Sequence, residues 1–244
     1  MMGTSLLGKV FKRKDSGLSP ELIAKARALG VATLSATMGE PVGRDQIVAR
    51  GGLARAAGSG VSAGPAVTVW NPGGNNTMLR YAIESCRPGD ILVVTTPADG
   101  FAQWGDNAST WAKGLNIAAV IVDGSVRDVA NMREIGVPVW CRTVDPRQAL
   151  KESLGYVNAP VQIGSVQIRP GDLVVADDDA VMVLRPEQVE PVVRMATDRA
   201  AQEAEVMRQA ATGSTPDNLK KIFTGDRIEK LDRPWSEADG LGKV

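Results

Sequence analysis

The segment "AAVIVDGSVRD" covers residues 118–128 and joins a run of apolar residues to an adjacent Arg127 and Asp128. The apolar run is typical of a strand that is buried on both faces of a parallel sheet. A helix is predicted directly afterwards, over "VANMREIG", so Arg127 and Asp128 lie where the strand ends. A parallel strand that leads into a helix indicates an α/β fold, which binds ligands at the carboxyl ends of its strands.

The same alternation continues on both sides of this segment. Strands are predicted over residues 66–70, 91–96 and 137–142, with helices over residues 19–30, 75–86 and 107–115. Residues 39–64 read as a long loop, and residues 160–185 return to a β pattern. A long helix is predicted from Pro186 to about Ala211, with an apolar stripe at spacings of three and four: Val189, Val193, Ala196, Ala200, Ala204, Met207 and Ala211. This order predicts an α/β domain with a mixed sheet. A further short helix is predicted over residues 216–223.

Composition limits the functions that the chain can perform. The 244 residues carry 28 Lys plus Arg and 28 Asp plus Glu, and they contain no His. A net charge of zero argues against a protein that binds nucleic acid by neutralising phosphates, and against a polybasic membrane anchor. Cys86 and Cys141 lack the spacing of metal ligands and indicate reduced thiols in a cytoplasmic protein. Without His, a metal site must use carboxylates, which suit Mg²⁺ or Mn²⁺.

A second aspartate, Asp106, lies like Asp128 between a strand and a predicted helix. Asp106, in "QWGDNAST", also precedes a predicted helix and lies 22 positions before Asp128. In adjacent β-α units this spacing can bring both carboxylates and Arg127 to one sheet edge, beside the free amides of Asn107 and Ala108. Such a site would hold a divalent metal and a carboxylate-bearing substrate. The alternative is that both aspartates are ordinary helix N-caps and Arg127 is a solvated charge.

Three other motifs have weaker functional interpretations. Residues 58–63, "GSGVSA", imitate a dinucleotide-binding loop but do not follow a strand. Asp177, Asp178 and Asp179 could bind a metal, or form an acidic turn between two strands. Asn75 and Asn76 could contact a ligand, or cap the following helix.

An ordered set of short motifs resembles the RraA-like family. The set comprises "GPAVTV", "GNN", "PGDILVV", "WGD", "VDGSVRD", "PVW", "VNAPVQIG", "PGDLVVADDD" and the long C-terminal helix, over about residues 20–212. More closely, the chain resembles the class II pyruvate aldolases of this family, which cleave 4-hydroxy-4-methyl-2-oxoglutarate and 4-carboxy-4-hydroxy-2-oxoadipate. The resemblance implies a layered β/β/α domain, similar to swivelling domains, that forms homotrimers or homohexamers.

The resemblance also implies roles for individual residues. Asp128 would ligate Mg²⁺ or Mn²⁺, and Asp106 would hold a water on that metal. Arg127 would contact the substrate oxyanion. Asn76 and the amides of Asn107 and Ala108 would bind the 2-oxo acid. Glu203, on the C-terminal helix, would enter the site of a neighbouring subunit.

The expected organisation is a flexible N-terminus over residues 1–18, the α/β domain over residues 19–185, and a helical extension over residues 186–244 that packs on another subunit. The expected reaction is metal-dependent retro-aldol cleavage to pyruvate, with oxaloacetate decarboxylation as a side activity. Two departures from the family pattern, Ala36 and Asn131 in place of acidic residues, leave two alternatives open. One is a non-catalytic oligomeric regulator of the RraA type, and the other is a lyase for a different 2-oxo acid.

Overall fold

The computed structural model describes residues 7–38, 47–48, 52–97, 100–217, 232 and 234. Its centre is a set of neighbouring parallel strands: β4 (Ser62–Trp70), β5 (Ile91–Thr95), β7 (Ala119–Val126) and β8 (Val139–Val144). A short strand, β6 (Ala102–Trp104), also pairs in parallel with β7. The helices between them are α2 (Leu79–Ser85), α3 (Asp106–Gly114) and α4 (Val129–Ile135). The predicted α/β fold is confirmed.

Antiparallel strands extend both sides of this parallel centre and make the sheet mixed, as predicted. On one side β4 pairs with β12 (Leu173–Ala176), followed by β13 (Val181–Leu184) and β2 (Ile47–Val48). On the other side β8 pairs with β3 (Ala54–Ala57). A separate hairpin consists of β10 (Val161–Ile163) and β11 (Val166–Ile168). Most residues of β4, β5 and β7 are buried, because both faces of these strands are covered by apolar side chains.

Two turns with the sequence Arg-Pro-Gly-Asp share one construction and lead into β5 and β12. In each turn the glycine has a left-handed φ, 87° at Gly89 and 86° at Gly171, as a type II turn requires after proline. In each turn the aspartate carboxylate accepts the amide of the arginine three residues earlier, and a distant arginine pairs with the same carboxylate. These partners are Arg13 for Asp90 and Arg185 for Asp172. The turns are therefore structural.

The first helix is interrupted at Gly30, where the sequence predicted its end. The helical segment after Gly30 is capped by a turn that is distant in sequence. The helix α1 (Pro20–Met38) is interrupted at Gly30, whose φ of 73° and ψ of 170° are not helical. Helical structure resumes at Val31, whose amide donates to the carboxylate of Asp177 at 2.8 Å. The same carboxylate accepts the amides of Asp179 and Ala180 in the turn between β12 and β13. The acidic triplet is therefore the predicted turn, and it also caps a helix.

Several predicted boundaries differ from the structure. The helix predicted over residues 75–86 begins at Leu79, because the Asn75 carboxamide binds another loop and does not cap the helix. Within residues 52–64, predicted as loop, lie β3 and the start of β4. The "GSGVSA" motif connects these two strands, so it is not the strand-to-helix turn of a dinucleotide site. Residues 39–46 and 49–51 lie outside the described part.

Residues 7–18, the described part of the segment predicted as flexible, include contacts that hold them against the sheet. The strand β1 (Lys9–Val10) pairs with β9 (Tyr156–Val157), and β9 also pairs with β4. The guanidinium of Arg13 donates to both carboxylate oxygens of Asp90, at 2.8 and 2.5 Å. A charged pair that joins residues 77 positions apart fixes this segment on the domain.

The long C-terminal helix α5 (Pro186–Ala211) confirms the predicted bounds. Val189, Val193 and Ala196 of its apolar stripe are buried, whereas Met207 is 71% exposed in the single chain. The chain divides into two compact units, Met1–Arg199 and Ala200–Val244, and the division falls within α5. No helix among the described residues is long and apolar enough to span a membrane. The short helix predicted over residues 216–223 lies mostly outside the described residues.

Candidate active site

Two neighbouring strand ends form the candidate site, as the spacing of Asp106 and Asp128 predicted. The strand β6 ends at Trp104, and β7, its parallel partner, ends at Val126. The amide of Arg127 donates to the carbonyl of Trp104 at 3.0 Å, which holds the two chain segments together beyond the strands. Asp106 and Arg127-Asp128 therefore leave the sheet side by side, at the edge where α/β folds bind ligands.

Asp128 has an unusual backbone for a residue at the start of a helix. Its φ of 58° and ψ of 36° are left-handed, and its carboxylate makes no capping hydrogen bond to α4. A left-handed conformation is tolerated by Asp but still costs free energy, and such residues cluster at functional sites. The prediction that Asp128 opens α4 is correct in position, but the carboxylate points to the site. The N-cap alternative is therefore wrong for this residue.

Arg127 is only loosely bound to its neighbour. Its Nε lies 3.3 Å from Oδ2 of Asp128, and both side chains are 35% exposed. This distance is longer than that of a charge-assisted hydrogen bond, which is about 2.7–2.9 Å. The pair therefore retains both positive charge and carboxylate oxygens for a ligand.

Gly105 provides the space for this arrangement. A Cβ built on Gly105 would lie 2.8 Å from Oδ2 of Asp128 and 3.4 Å from Cγ of Arg127. The backbone of Gly105 is extended, so any residue could adopt its conformation, but only glycine leaves room for the carboxylate. The Gly of "WGD" is thus required by the position of the Asp128 side chain.

Asp106 is held by hydrogen bonds on both oxygens. Asn131 donates Nδ2 to Oδ2 of Asp106 at 2.8 Å, and the amide of Asn107 donates to Oδ1 at 2.6 Å. These donors lower the pKa of Asp106, with Asn131 the largest cause and a contact with Asp128 and the charge of Arg127 smaller ones. Asp106 is consequently a fixed, ionised carboxylate.

Two details of the predicted anion site require correction. The N-cap of α3 is Gly105, and Asp106 is the first helical residue. The amide of Asn107 is used by the Asp106 carboxylate, because that side chain turns back onto its own helix. Ala108, also in the first turn, lines the pocket, so its amide is the better candidate for a substrate carboxylate.

One pocket of about 270 Å³ brings together most of the predicted site residues. Its lining includes Asn76, Asp106, Asn107, Ala108, Arg127 and Asp128. Ala36 is exposed on α1 and is not among the lining residues. Glu203 is half-buried on α5 and belongs to the second compact unit, so its catalytic role stays a prediction.

The pocket also contains residues that sequence reasoning missed. Gln103 is fully buried beneath it and is bound by the carboxamide of Asn71, while Gln148 and Lys151 line it from the loop after β8. Gln103 lies in β6, a strand too short to stand out from a loop in the sequence. Gln148 and Lys151 lie 20 and 23 positions after Asp128, the nearest predicted site residue, and no local pattern marks them.

The side chains of the pocket fit a divalent cation. Asp106 and Asp128 bring two carboxylates to one pocket beside Arg127, and carboxylate oxygens are ligands that suit a divalent cation such as Mg²⁺. No group of three or more Asp, Glu, Cys or His side chains is placed to hold a metal ion within the described ranges. Mg²⁺ is usually held by one or two carboxylates, with water and substrate as the remaining ligands, so two are sufficient.

Comparison with known proteins points to the RraA-like family. The pattern of the RraA-like family, described as Aldolase/RraA, matches residues 31–183. The chain is 36% identical over 172 residues to a Halalkalibacterium halodurans protein named "Putative 4-hydroxy-4-methyl-2-oxoglutarate aldolase", covering 70% of this chain and 79% of that protein. A 4-hydroxy-4-methyl-2-oxoglutarate aldolase of Thermus thermophilus is 31% identical over 117 residues, covering 45% of this chain and 68% of the relative.

A solved structure gives a different functional description. Streptomyces coelicolor RraAS2, described as an unusual member of the RNase ES inhibitor RraA protein family, superposes with a TM-score of 0.68 at 31% identity. The similarity covers 80% of this chain and 97% of that structure. Since the family pattern spans well over half of its length, this chain belongs to the RraA-like family.

Proposed function

We propose that this protein is a divalent-metal-dependent aldolase that cleaves a 4-hydroxy-2-oxo acid to pyruvate and a second 2-oxo acid. The observation that carries the proposal is the left-handed Asp128, whose carboxylate leaves its own helix uncapped and shares a pocket with Asp106 and Arg127. Helix capping does not explain the left-handed backbone of Asp128, because its carboxylate makes no capping hydrogen bond, and strained residues of this kind cluster at functional sites. The names of the relatives support the same reaction class.

The proposed reaction breaks the bond between C3 and C4 of the substrate. The 4-hydroxyl group loses its proton, C4 becomes a carbonyl, and the electron pair of the broken bond forms an enolate over C3, C2 and the C2 oxygen. Proton addition at C3 then gives pyruvate. A divalent cation held by Asp128 would supply positive charge beside the C2 oxygen.

The other side chains have complementary roles in this proposal. The guanidinium of Arg127 stabilises the negative charge that develops on the C2 oxygen, since a fixed cation is most effective where charge appears in the transition state. Asp106, held ionised by Asn131 and the Asn107 amide, orients a water that accepts the proton of the 4-hydroxyl group. The amide of Ala108 and the side chain of Asn76 bind the carboxylate at C1.

The test is pyruvate release from 4-hydroxy-4-methyl-2-oxoglutarate, 4-hydroxy-2-oxopentanoate and oxaloacetate. We expect turnover with Mg²⁺ or Mn²⁺, loss of activity in EDTA, and recovery when the metal is restored. Undiminished turnover in EDTA would exclude the metal-dependent mechanism. A protein that binds none of these acids and releases no pyruvate would favour the non-catalytic regulator, the class to which the description of RraAS2 points.

We also propose that Glu203 completes the site of a neighbouring subunit in a trimer or hexamer. The exposed continuation of the apolar stripe on α5, with Met207 at 71% exposure, suits contact with another chain. Oligomers that mix Glu203→Ala with Asp128→Ala chains should regain part of the activity that each variant lacks alone. If subunit exchange is verified and no activity returns, Glu203 does not act across subunits. Glu205→Ala is the matched control, because Glu205 is exposed and pairs with Arg208 of its own helix.

A further inference from the structure

Trp104, the last residue of β6, is bonded to both chain segments that carry the candidate site. Its carbonyl accepts the amide of Arg127 at 3.0 Å, and its indole Nε1 donates to the hydroxyl of Ser109 at 2.7 Å. The first bond fixes the segment that leads into Asp128. The second bond reaches the first turn of α3, which contains Asp106. One residue therefore holds both sides of the pocket.

The bond between the indole and the hydroxyl is buried. Trp104 is 2% exposed and Ser109 is 0% exposed. The indole ring belongs to the apolar cluster that also contains Ala112 of α3 and Val126 of β7. Loss of the Ser109 hydroxyl would leave the indole N–H buried without its acceptor, and a polar group in that state is unfavourable. The bond is therefore a stable link between the core and the start of α3.

The start of α3 has no side-chain cap. Its N-cap is Gly105, and the carboxylate of Asp106 turns back onto the amide of Asn107. A Ser, Asp or Asn at the N-cap would bind the amide of the second or third helical residue, and the third is Ala108. Glycine keeps the Ala108 amide free of a capping side chain, but the first turn then lacks the anchor that such a side chain provides.

The bond between Trp104 and Ser109 supplies an anchor from the core side. These two residues enclose the segment 105–108, and the amide of Ser109 donates to the carbonyl of Gly105 at 3.0 Å. The outer side of the same segment, with Asp106 and Ala108, lines the pocket. Because the anchor lies on the inner side of the turn, it fixes the polar groups of the outer side without using them.

We propose that Trp104 and Ser109 are positioning residues, which set the place of the first turn of α3 relative to Asp128. They act through Asp106 and the amide of Ala108. A displacement of about 1 Å at a positioned group can lower the rate by about 10²-fold, so a modest movement of this turn is sufficient for a measurable effect. The effect on turnover rests on the proposed aldolase function, whereas the effect on the start of the helix does not.

The kinetic test removes each partner of the bond and then both. In Trp104→Phe and in Ser109→Ala we expect kcat/KM for 4-hydroxy-4-methyl-2-oxoglutarate to fall about 10-fold, part of the loss for a 1 Å displacement. The double variant should fall no further, because both changes break the same bond. Trp111→Phe is the matched control, since Trp111 lies in the same helix, is 39% exposed and does not line the pocket.

The control should stay within about twofold of the wild type, as surface substitutions usually do. Losses that multiply in the double variant would mean that Trp104 and Ser109 act separately, and would overturn the proposal. Single variants within about twofold of the wild type would also overturn it.

A binding measurement separates positioning from a general loss of structure. Asp128, which would hold the cation, is placed through the backbone of Trp104, and Trp104→Phe keeps that backbone bond. By calorimetry we expect the affinity for Mn²⁺ to change less than about threefold, and the Kd of pyruvate with Mn²⁺ present to rise about 10-fold, because the Ala108 amide has moved. Equal losses for Mn²⁺ and pyruvate would mean that Trp104 only stabilises the fold, and would overturn the proposal.

Amide exchange tests the same bond without turnover. In Trp104→Phe and Ser109→Ala, a peptide covering residues 105–112 should exchange about 10-fold faster than in the wild type, because the first turn of α3 opens locally. A peptide covering β5 should be unchanged. Faster exchange in a protein that releases no pyruvate would overturn the aldolase alone. Unchanged exchange in both variants would overturn the role of Trp104 and Ser109, whatever the activity.

Discussion

Two Arg-Asp pairs in the same domain show how one chemical combination supports either structure or function. The pair of Arg13 and Asp90 joins distant parts of the chain, and the guanidinium binds both carboxylate oxygens, at 2.8 and 2.5 Å. Asp90 is 2% exposed and also accepts the amide of Arg87. The pair of Arg127 and Asp128 joins neighbours in sequence, with one contact at 3.3 Å and 35% exposure of each side chain.

The difference lies in the hydrogen-bonding capacity that remains on each carboxylate. At Asp90 both oxygens are bound by donors of the protein and the side chain is 2% exposed, so the carboxylate is closed to a ligand from solvent. At Asp128 the weak contact and the uncapped helix leave the oxygens accessible from the pocket. A buried carboxylate whose oxygens are bound by protein donors contributes to folding. An accessible carboxylate in a pocket can also bind a ligand and contribute to chemistry.

The sharpest test of this comparison is Asp128→Asn. Asn tolerates a left-handed backbone and has the same shape, so the protein should remain folded with a midpoint of thermal unfolding close to that of the wild type. Loss of the charge that would hold the cation should lower kcat/KM by about 10³-fold, comparable to the larger losses on removal of electrostatic groups from active sites. Pyruvate release and thermal unfolding measured on one preparation would check both parts.

Arg127→Lys addresses the other member of the same pair. Lysine keeps the positive charge but loses the planar group that can face an oxyanion with two donors. We expect kcat to fall about 10²-fold, with the fold and the affinity for the metal maintained. A variant within a few-fold of the wild type would mean that Arg127 is a solvated surface charge.

Asp90→Asn should lower stability and leave activity unchanged, which is the opposite of the result expected for Asp128→Asn. The buried carboxylate is removed, Arg13 loses its partner, and the free energy of unfolding should fall by about 2 kcal/mol, below the range for a completely buried pair because Arg13 is 14% exposed. At a temperature where the variant is folded, kcat should be unchanged. Chemical denaturation gives the first quantity and pyruvate release the second. A loss of activity without a loss of stability would reverse the assignment of the two pairs.

The sequence was sufficient to predict the elements with strong patterns. The buried run before Arg127, the glycine stop at Gly30 and the bounds of α5 follow from local periodicity and helix-terminating residues. The spacing of Asp106 and Asp128 predicted that the two carboxylates share a sheet edge, because parallel strand ends lie side by side.

Other features depend on contacts that no local pattern contains. Gly105 is needed because a Cβ there would lie only 2.8 Å from Oδ2 of Asp128, and Asn75 is buried where it binds a loop about 77 residues away. The left-handed backbone of Asp128 also depends on the segment beside it, where Arg127 is bound to Trp104. Tertiary contacts of this kind become visible only when the fold has brought the segments together.

The smallest expected effect concerns Asn131, a departure from the family pattern that is associated with either lost or redirected activity. The structure shows that its carboxamide binds Asp106 at 2.8 Å and lowers the pKa of that carboxyl group. In Asn131→Ala the amide of Asn107 still binds the other oxygen, so Asp106 keeps one of its two donors. Since the site is open to solvent, we expect kcat to fall only about 5- to 10-fold, which is about 1.0–1.4 kcal/mol and just below the range of about 1.5–3 kcal/mol for a hydrogen bond to a charged group. Glu134→Ala, an exposed change one turn later in α4, should leave kcat near the wild-type value. If Asn131→Ala raised activity, Asn131 would restrain Asp106 in an unproductive position, and the departure from the family pattern would then be inhibitory.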